Sequence, residues 1–496
     1  MSDQKNESRT VIQVTTLHGG TGGMGGAGGV TGGAGGKGEG ATMNIDGVQN
    51  MTNHILKEDL HKWLECPPDT KDRKHELKSL HHQATGGWLL RDDRFVRWKD
   101  TPSALWIKGI SGTGKSVLSS TAIENITVGC PDQTAVAYFY FDFRNERQHM
   151  DIMLCSIVWQ LSGRVASPYR CLQRLHETLG KGTIKPQRVH LQGVLENLLL
   201  ELDQTYIVID GLDECDKTDW KHLIELIHSL CQPTTKMPNL LFTSQPHEDF
   251  KNAFKDVTFI ELGSAVSNND IESFVSSEVP RVGNWASNGK YAKHVTEQIV
   301  QKSNGMFRMA ACLLIELGRC HWKDDWEEAL GDLPAELSGI YSRFLTRATS
   351  SLKAVFIEAI FRWLVFSARQ IAPDELADAI AFRLDNPAFD FSDPAKSIYH
   401  PDRHRGNSDS FERLEGLIII KERKSRWDGP SIAFAHSSVK DYIISSQFQQ
   451  KFGTSICLTT DVSHRFITQT CVRYLLLFAD PEHSMNEDTL RHYPIS

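Results

Sequence analysis

The ten cysteines of this 496-residue chain form no CxxC pair and follow no regular spacing. That argues against a zinc site and a disulfide framework, and predicts reduced thiols. No run of 18 consecutive apolar residues occurs, so no membrane span is expected. The first thirty residues lack an apolar core of the kind secretory signals carry, which with the thiols predicts a cytoplasmic protein. A basic excess is missing too. Net charge is −8, which gives no electrostatic footprint for nucleic acid or an anionic membrane. Internal repeats of 20–50 residues, the mark of solenoids and propellers, do not occur in the sequence.

Hydrophobic content of 40% and charged content of 23% are globular values, and the length suggests about three domains. Glycine is plentiful but uneven: fourteen of 37 lie in residues 19–40. Ordering each costs about 0.5–1 kcal/mol against alanine, so residues 1–48 read as a low-complexity leader and flexible linker. Its Gly-Gly-x spacing, with one phase break at Val30-Thr31, opens a second reading. Polyproline II has three residues per turn, which aligns the x side chains in a stripe suited to self-association.

Residues 49–85 read as an N-terminal helical segment: Ile55, Leu56, Leu60, Trp63 and Leu64 recur at helical spacing before Pro67-Pro68, and a second helix spans 71 to about 83. Across 86–260 short β-rich runs (104–107, 136–143, 206–209, 240–243) alternate with helices starting at Lys115, at 150–161 and near 220–230. That rhythm predicts a parallel sheet built from βαβ units. "TYIVID" is a continuous apolar run, as expected of a central strand covered on both faces. Residues 261–332 read as a small helical domain. In 333–450, Leu333, Leu337, Ile340, Tyr341, Phe344 and Leu345 form a 3.6-period face, and two short strands flank "KSRWDGPS". Helices followed by a hairpin suggest a winged-helix module, and 451–496 reads as a helical connection. The expected fold class is an α/β P-loop NTPase core with a parallel sheet, then an all-α helical domain and a winged-helix domain.

The chemistry concentrates in two stretches. Gly109-Ile110-Ser111-Gly112-Thr113-Gly114-Lys115-Ser116 fits GxxxxGK[ST], with a strand before it and a helix pattern from Lys115 through Val117 after it. Glycines let backbone N–H groups close around phosphates, and the helix N-terminus adds partial positive charge. Gly109, Ser111, Gly112, Thr113, Gly114, Lys115, Ser116 and Val117 are therefore the candidate nucleotide contacts. Lys115 is expected at the β- and γ-phosphates, and Ser116 in the Mg2+ shell. In "YIVIDGLDEC", Asp210 ends a strand where a carboxylate associated with Mg2+ belongs. Asp213 and Glu214 follow as candidates to orient a water for attack on the γ-phosphate. The Gly36-Lys37 pair of the leader precedes Gly38 and follows no strand, so it is no phosphate loop. An NKxD-type guanine reader is missing, which favours ATP and ADP over GTP.

These residues, with "AYFYFDF", "LLFTSQP", "DIESFVSSEV", "SNGMFRMAACLL" and "FAHSSVKDYI", resemble the NACHT ATPases of the STAND class, especially fungal NOD-like receptors, across roughly 85–480. "DGLDE" is the most specific element. The resemblance implies a nucleotide-controlled switch in fungal self/non-self recognition or innate immunity. ADP holds a closed monomer, and exchange to ATP permits homo-oligomerisation that gathers an effector protein. It also implies that His436 contacts the nucleotide's β-phosphate. Where the family has Thr-Ser-Arg-Pro, with an arginine that senses the γ-phosphate, this chain has Thr243-Ser244-Gln245-Pro246. Gln245 keeps a neutral donor there, which implies slow hydrolysis or weak sensing of ATP. The resemblance further implies ligand-sensing repeats, absent from this sequence, so that an adaptor or decoy with negligible ATPase activity is the alternative. DNA binding through a winged helix is disfavoured by the acidic charge, and a metabolic kinase by the lack of an acceptor site.

Overall fold

Strand β3 (Gln204–Asp210) is buried at six of seven positions and β4 (Asn239–Ser244) at all six, the pattern of strands covered on both faces. They lie in the middle of a five-stranded parallel sheet with β1 (Ala104–Lys108), β2 (Thr134–Tyr140) and β5 (Thr258–Glu261), in the order β2-β3-β4-β1-β5. The computed structural model describes residues 57–65, 70–82, 85–128, 134–144, 149–232, 236–282, 289–320, 323–381, 411–421 and 429–477. The glycine-rich leader, "KSRWDGPS" up to Asp428 and the expected C-terminal connection from residue 478 on lie outside these residues.

Residues 1–63 form one unit and 64–496 another. Of the first, the described part is helical from Lys57, with Leu60 and Trp63 buried. In the second, the phosphate-loop helix Lys115–Val128 packs Leu118, Ala122, Ile123 and Ile126 into a core with Leu105, Ile107, Val208, Leu241 and Ile260 of the sheet. Burying each of the leucine, isoleucine and valine side chains contributes about 1.5–3 kcal/mol. Helix Thr70–Leu80 ends three residues earlier than expected, and β2 stops at Tyr140 rather than 143. The β2 correction has a local cause: Phe141 N–H still bonds Asp210 O, but Asp142 then accepts from Arg144 and turns the chain. Strand β5, not anticipated, closes the sheet edge.

From Ser264 the chain is helical: Ser264–Val282, Gly289–Ser303 and Phe307–Leu317, then Leu337–Ser351, Ala354–Phe366 and Pro373–Ala381. One apolar core runs through these helices and the antiparallel hairpin of β6 (Ile418–Lys421) and β7 (Ser431–Phe434). Ile371 adds a bridge to Ile432. Helices Ser437–Ile443, Ser446–Phe452 and Thr460–Leu477 follow. Among the described residues no helix is long and apolar enough to cross a membrane.

Candidate nucleotide-binding site

Because β1 sits between β4 and β5, the loop that leaves it emerges at the C-terminal edge of the sheet beside the ends of β3 and β4. Gly109 N–H donates to Ser244 O at 3.2 Å, and Thr113 Oγ1 donates to Ile110 O at 2.9 Å. Gly112 and Gly114 turn through φ of +83° and +90°. A Cβ on Gly112 would lie 2.7 Å from Arg308 Cβ, so the position requires glycine for both backbone and space. Lys115 opens the helix, and its Nζ donates to Gly109 O at 2.8 Å and Ile110 O at 3.0 Å. Burial lowers the Lys115 ammonium below its ordinary value, against the pull of Asp213, Asp210 and Glu214. Val117 packs its side chain on the sheet core, so its backbone is what it offers the loop.

Asp210, 2% exposed at the tip of β3, accepts from Thr243 Oγ1 at 2.7 Å, with the hydroxyls of Ser116 and Ser119 beside it. Burial raises its carboxyl, and the hydroxyl donors oppose the rise. Ser116 and Asp210, expected together around a cation, do meet. Gly211 N–H donates to Thr243 Oγ1 at 2.9 Å, which fixes the turn into Asp213.

The two acidic loop residues differ in environment. Glu214 is pushed up to about 8 by burial and by the neighbouring carboxylates of Asp142, Asp213 and Asp210, while its Oε2 accepts from Phe143 N–H at 2.9 Å. It therefore carries a proton at neutral pH. Asp213 is held by one residue through both oxygens: Gln245 N–H donates to Oδ1 at 2.8 Å and Gln245 Nε2 to Oδ2 at 2.9 Å. The Gln245 amide, expected at the nucleotide, is engaged with Asp213.

His436 caps helix Ser437–Ile443 and its Nδ1 accepts from Ser438 N–H at 3.2 Å. Since Nδ1 is an acceptor, Ser438 Oγ, 2.8 Å away, donates to it, and Tyr341 Oη, 2.8 Å from Ser438 Oγ, donates in turn. The ring proton then sits on Nε2. Burial, followed by the cations of Arg308 and Lys115, lowers His436 to about 3, so the ring is neutral. Ser437 Oγ lies 3.3 Å from Ser111 Oγ, which brings the His436 turn against the phosphate loop.

Arg308 had no assigned role from sequence. It donates N–H to Gly112 O at 3.1 Å, Nε to Tyr341 Oη at 3.2 Å and Nη2 to Gly416 O at 2.5 Å. One residue thus ties the phosphate loop, through its backbone N–H, to the helical half and the segment before β6, through its guanidinium. The signal was an arginine in the otherwise apolar opening of "FRMAACLL", just after a Gly305 turn with φ of +80°.

The profile of the family described as Nephrocystin 3, N-terminal matches residues 84–245, which hold the phosphate loop, the acidic loop and Gln245. The vegetative incompatibility protein HET-E-1 of Podospora anserina is 23% identical over 419 residues, covering 79% of this chain and 29% of that protein. Azaphilone pigments biosynthesis cluster protein L of Monascus ruber is 30% identical over 152 residues, 30% of this chain and 29% of that protein. The chain thus spans 29% of the length of each of these curated relatives. Among solved structures, a signal transduction ATPase with numerous domains (STAND) that carries a tetratricopeptide repeat sensor, from Pyrococcus horikoshii, matches at 13% identity and a TM-score of 0.35. It covers 78% of this chain and 45% of that one, too loose a likeness to argue from. The sequence matches, which contain the whole phosphate-loop and acidic-loop machinery described above, make the chain similar to fungal NACHT-type P-loop proteins.

Proposed function

We propose that this chain is a nucleotide-controlled signalling switch that takes ADP or ATP with Mg2+ at the Gly109–Ser116 loop. The carrying observation is the docking of the His436 turn onto that loop, through Ser437 and Ser111 at 3.3 Å. In this reading the backbone N–H groups of residues 111–117 hold the phosphates, and Lys115 leaves the carbonyls of Gly109 and Ile110 to neutralise them. Ser116 and Asp210 supply oxygens for the cation, and the neutral His436 donates from Nε2 to a phosphate oxygen. Asp213, oriented by Gln245, is the group positioned to take a proton from an attacking water. Glu214 holds its own proton at neutral pH and takes no part as a base until its surroundings change. In this reading the chain divides into domains at 86–260, 261–332 and 333–450, the last a winged helix.

HET-E-1 is named for vegetative incompatibility, which supports placing the switch in fungal self/non-self recognition, with assembly into homo-oligomers and an effector protein as its output. A second reading, a nucleotide-binding adaptor with negligible turnover, draws on the engagement of Gln245 with Asp213 and the proton on Glu214. Titration of fluorescent ADP and ATP tests the first reading, with turnover measured alongside. Hydrogen bonds to charged groups are worth about 1.5–3 kcal/mol, so Lys115→Ala is expected to weaken both nucleotides by roughly 10- to 100-fold. His436→Ala weakens ADP more than ATP. Equal binding by wild type and Lys115→Ala overturns the site assignment, and absent turnover with intact binding favours the adaptor.

A further inference from the structure

Away from the phosphate loop, five charged side chains from three distant segments meet among the described residues. Arg73 and Glu76 lie on helix Thr70–Leu80, Asp142 and Arg144 in the turn after β2, and Lys421 at the end of β6. Arg144 pairs with Glu76 at 2.9 Å and with Asp142; Arg73 lies 2.8 Å from Glu76 and 3.5 Å from Asp142. Lys421 Nζ completes the group 2.9 Å from Glu76 Oε1. These side chains are between 6% and 22% exposed, so water and salt screen them little. The carboxyls of Glu76 and Asp142 are held well below the usual range, because the arginines beside both and Lys421 beside Glu76 outweigh the opposing effect of burial.

The turn that carries Asp142 and Arg144 also reaches the candidate site. Phe143 N–H donates to Glu214 Oε2 at 2.9 Å, and Phe141 N–H to Asp210 O at 3.0 Å. Residues 141–144 therefore touch the acidic loop on one side and the lysine's partners on the other.

Three cations face two carboxylates, so withdrawal of a cation leaves the charges balanced, whereas withdrawal of Glu76 leaves three cations around one carboxylate. Of the three cations, each arginine pairs with both carboxylates, while Lys421 pairs with Glu76. A buried group stripped of its partner is strongly disfavoured, so Lys421 is the member that leaves with least disturbance. Burial, and then repulsion from Arg144, already pushes its ammonium down to about 8.

We propose that Lys421 is a releasable latch holding the β6–β7 half against the nucleotide-binding half, and that residues 141–144 couple its release to the acidic loop at Glu214. The coupling part rests on the nucleotide-switch reading; the latch does not. The two-state element is the lysine's contact with Glu76, docked or withdrawn.

The test uses the full chain as wild type, Lys421→Met and Lys421→Arg. It reads hydrogen exchange at residues 141–144 and the dissociation rate of fluorescent ADP. Lys421→Met keeps the length of the side chain and leaves the remaining charges balanced, so the fold is expected to survive. Exchange at 141–144 is expected to quicken severalfold while β1 and β4 stay unchanged, and ADP to leave on the order of fivefold faster, the low end of allosteric couplings. Lys421→Arg restores both. Unchanged exchange at 141–144 in Lys421→Met overturns the latch, with or without nucleotide. Faster exchange with unaltered ADP release overturns the coupling. If wild type binds no ADP, the switch reading and its coupling fail, while exchange still decides the latch.

Discussion

At the scale of the residue, His436 and Glu214 are buried in opposite senses, and each leaves a mark on stability against pH. The folded chain keeps His436 neutral down to about 3, against an ordinary 6.5. Its contribution is complete above pH 6.5 and is lost as pH falls towards 3, because only the unfolded chain gains the proton. Glu214 runs the other way. Its folded value of about 8 exceeds the ordinary 4.5, so its contribution is complete below pH 4.5 and declines as pH rises through 8. Melting temperatures between pH 4 and 8.5 are expected to fall less steeply below pH 4.5 in His436→Gln, where the lowered carboxylates still contribute a fall, and less steeply between 6.5 and 8 in Glu214→Gln. Parallel profiles for wild type and both variants contradict these burials. The consecutive residues of the phosphate and acidic loops were legible in the sequence because their chemistry depends on local spacing. The grip of Gln245 on Asp213 was not, because 32 residues separate them and only the parallel pairing of β3 with β4 brings them together.

At the scale of the element, the phosphate loop is shaped as much by what packs behind it as by its glycines. Gly112→Ala forces a left-handed backbone that costs about 1–2 kcal/mol in an L-residue. Its new Cβ also meets Arg308 Cβ at 2.7 Å. The expected outcome is a melting temperature several degrees lower together with weakened ADP binding, checked by thermal unfolding and titration of one preparation. A variant as stable and as tight as wild type means that the loop is not held against helix Phe307–Leu317 as described. Four strands were readable as apolar runs, and helix Trp220–Leu230 falls where its periodicity places it. Strand β5 was not readable: three of its four residues are exposed, and only Ile260 is buried. Its place as a strand comes from pairing with β1. The hairpin β6–β7 was legible from "LIIIK" and "SIAF", though not the ion group that Lys421 joins.

At the scale of the whole molecule, apolar cores of the described residues flank a polar seam. One lies under the parallel sheet, and another runs from Ile271 to Leu458 through the helices and the hairpin. Across the seam run Arg308 to Gly112, Ser111 to Ser437, and Glu76 to Lys421. Hydrogen bonds and ion pairs of this kind exchange for water more readily than a packed apolar core separates, which suits surfaces that dock and part. Composition foretold a globular chain of several domains but not this seam, since no single stretch of sequence contains it. The central claim is that the Gly109–Ser116 loop holds an adenine nucleotide whose identity sets the association state. The most direct measurement is to purify the full chain, denature it, identify the released nucleotide, and size parallel samples in ADP and in a non-hydrolysable ATP analogue, with Lys115→Ala as control. The account predicts ADP or ATP released from wild type and none from the variant, with a larger species in the ATP analogue than in ADP; a nucleotide-free protein that stays monomeric in both would contradict it.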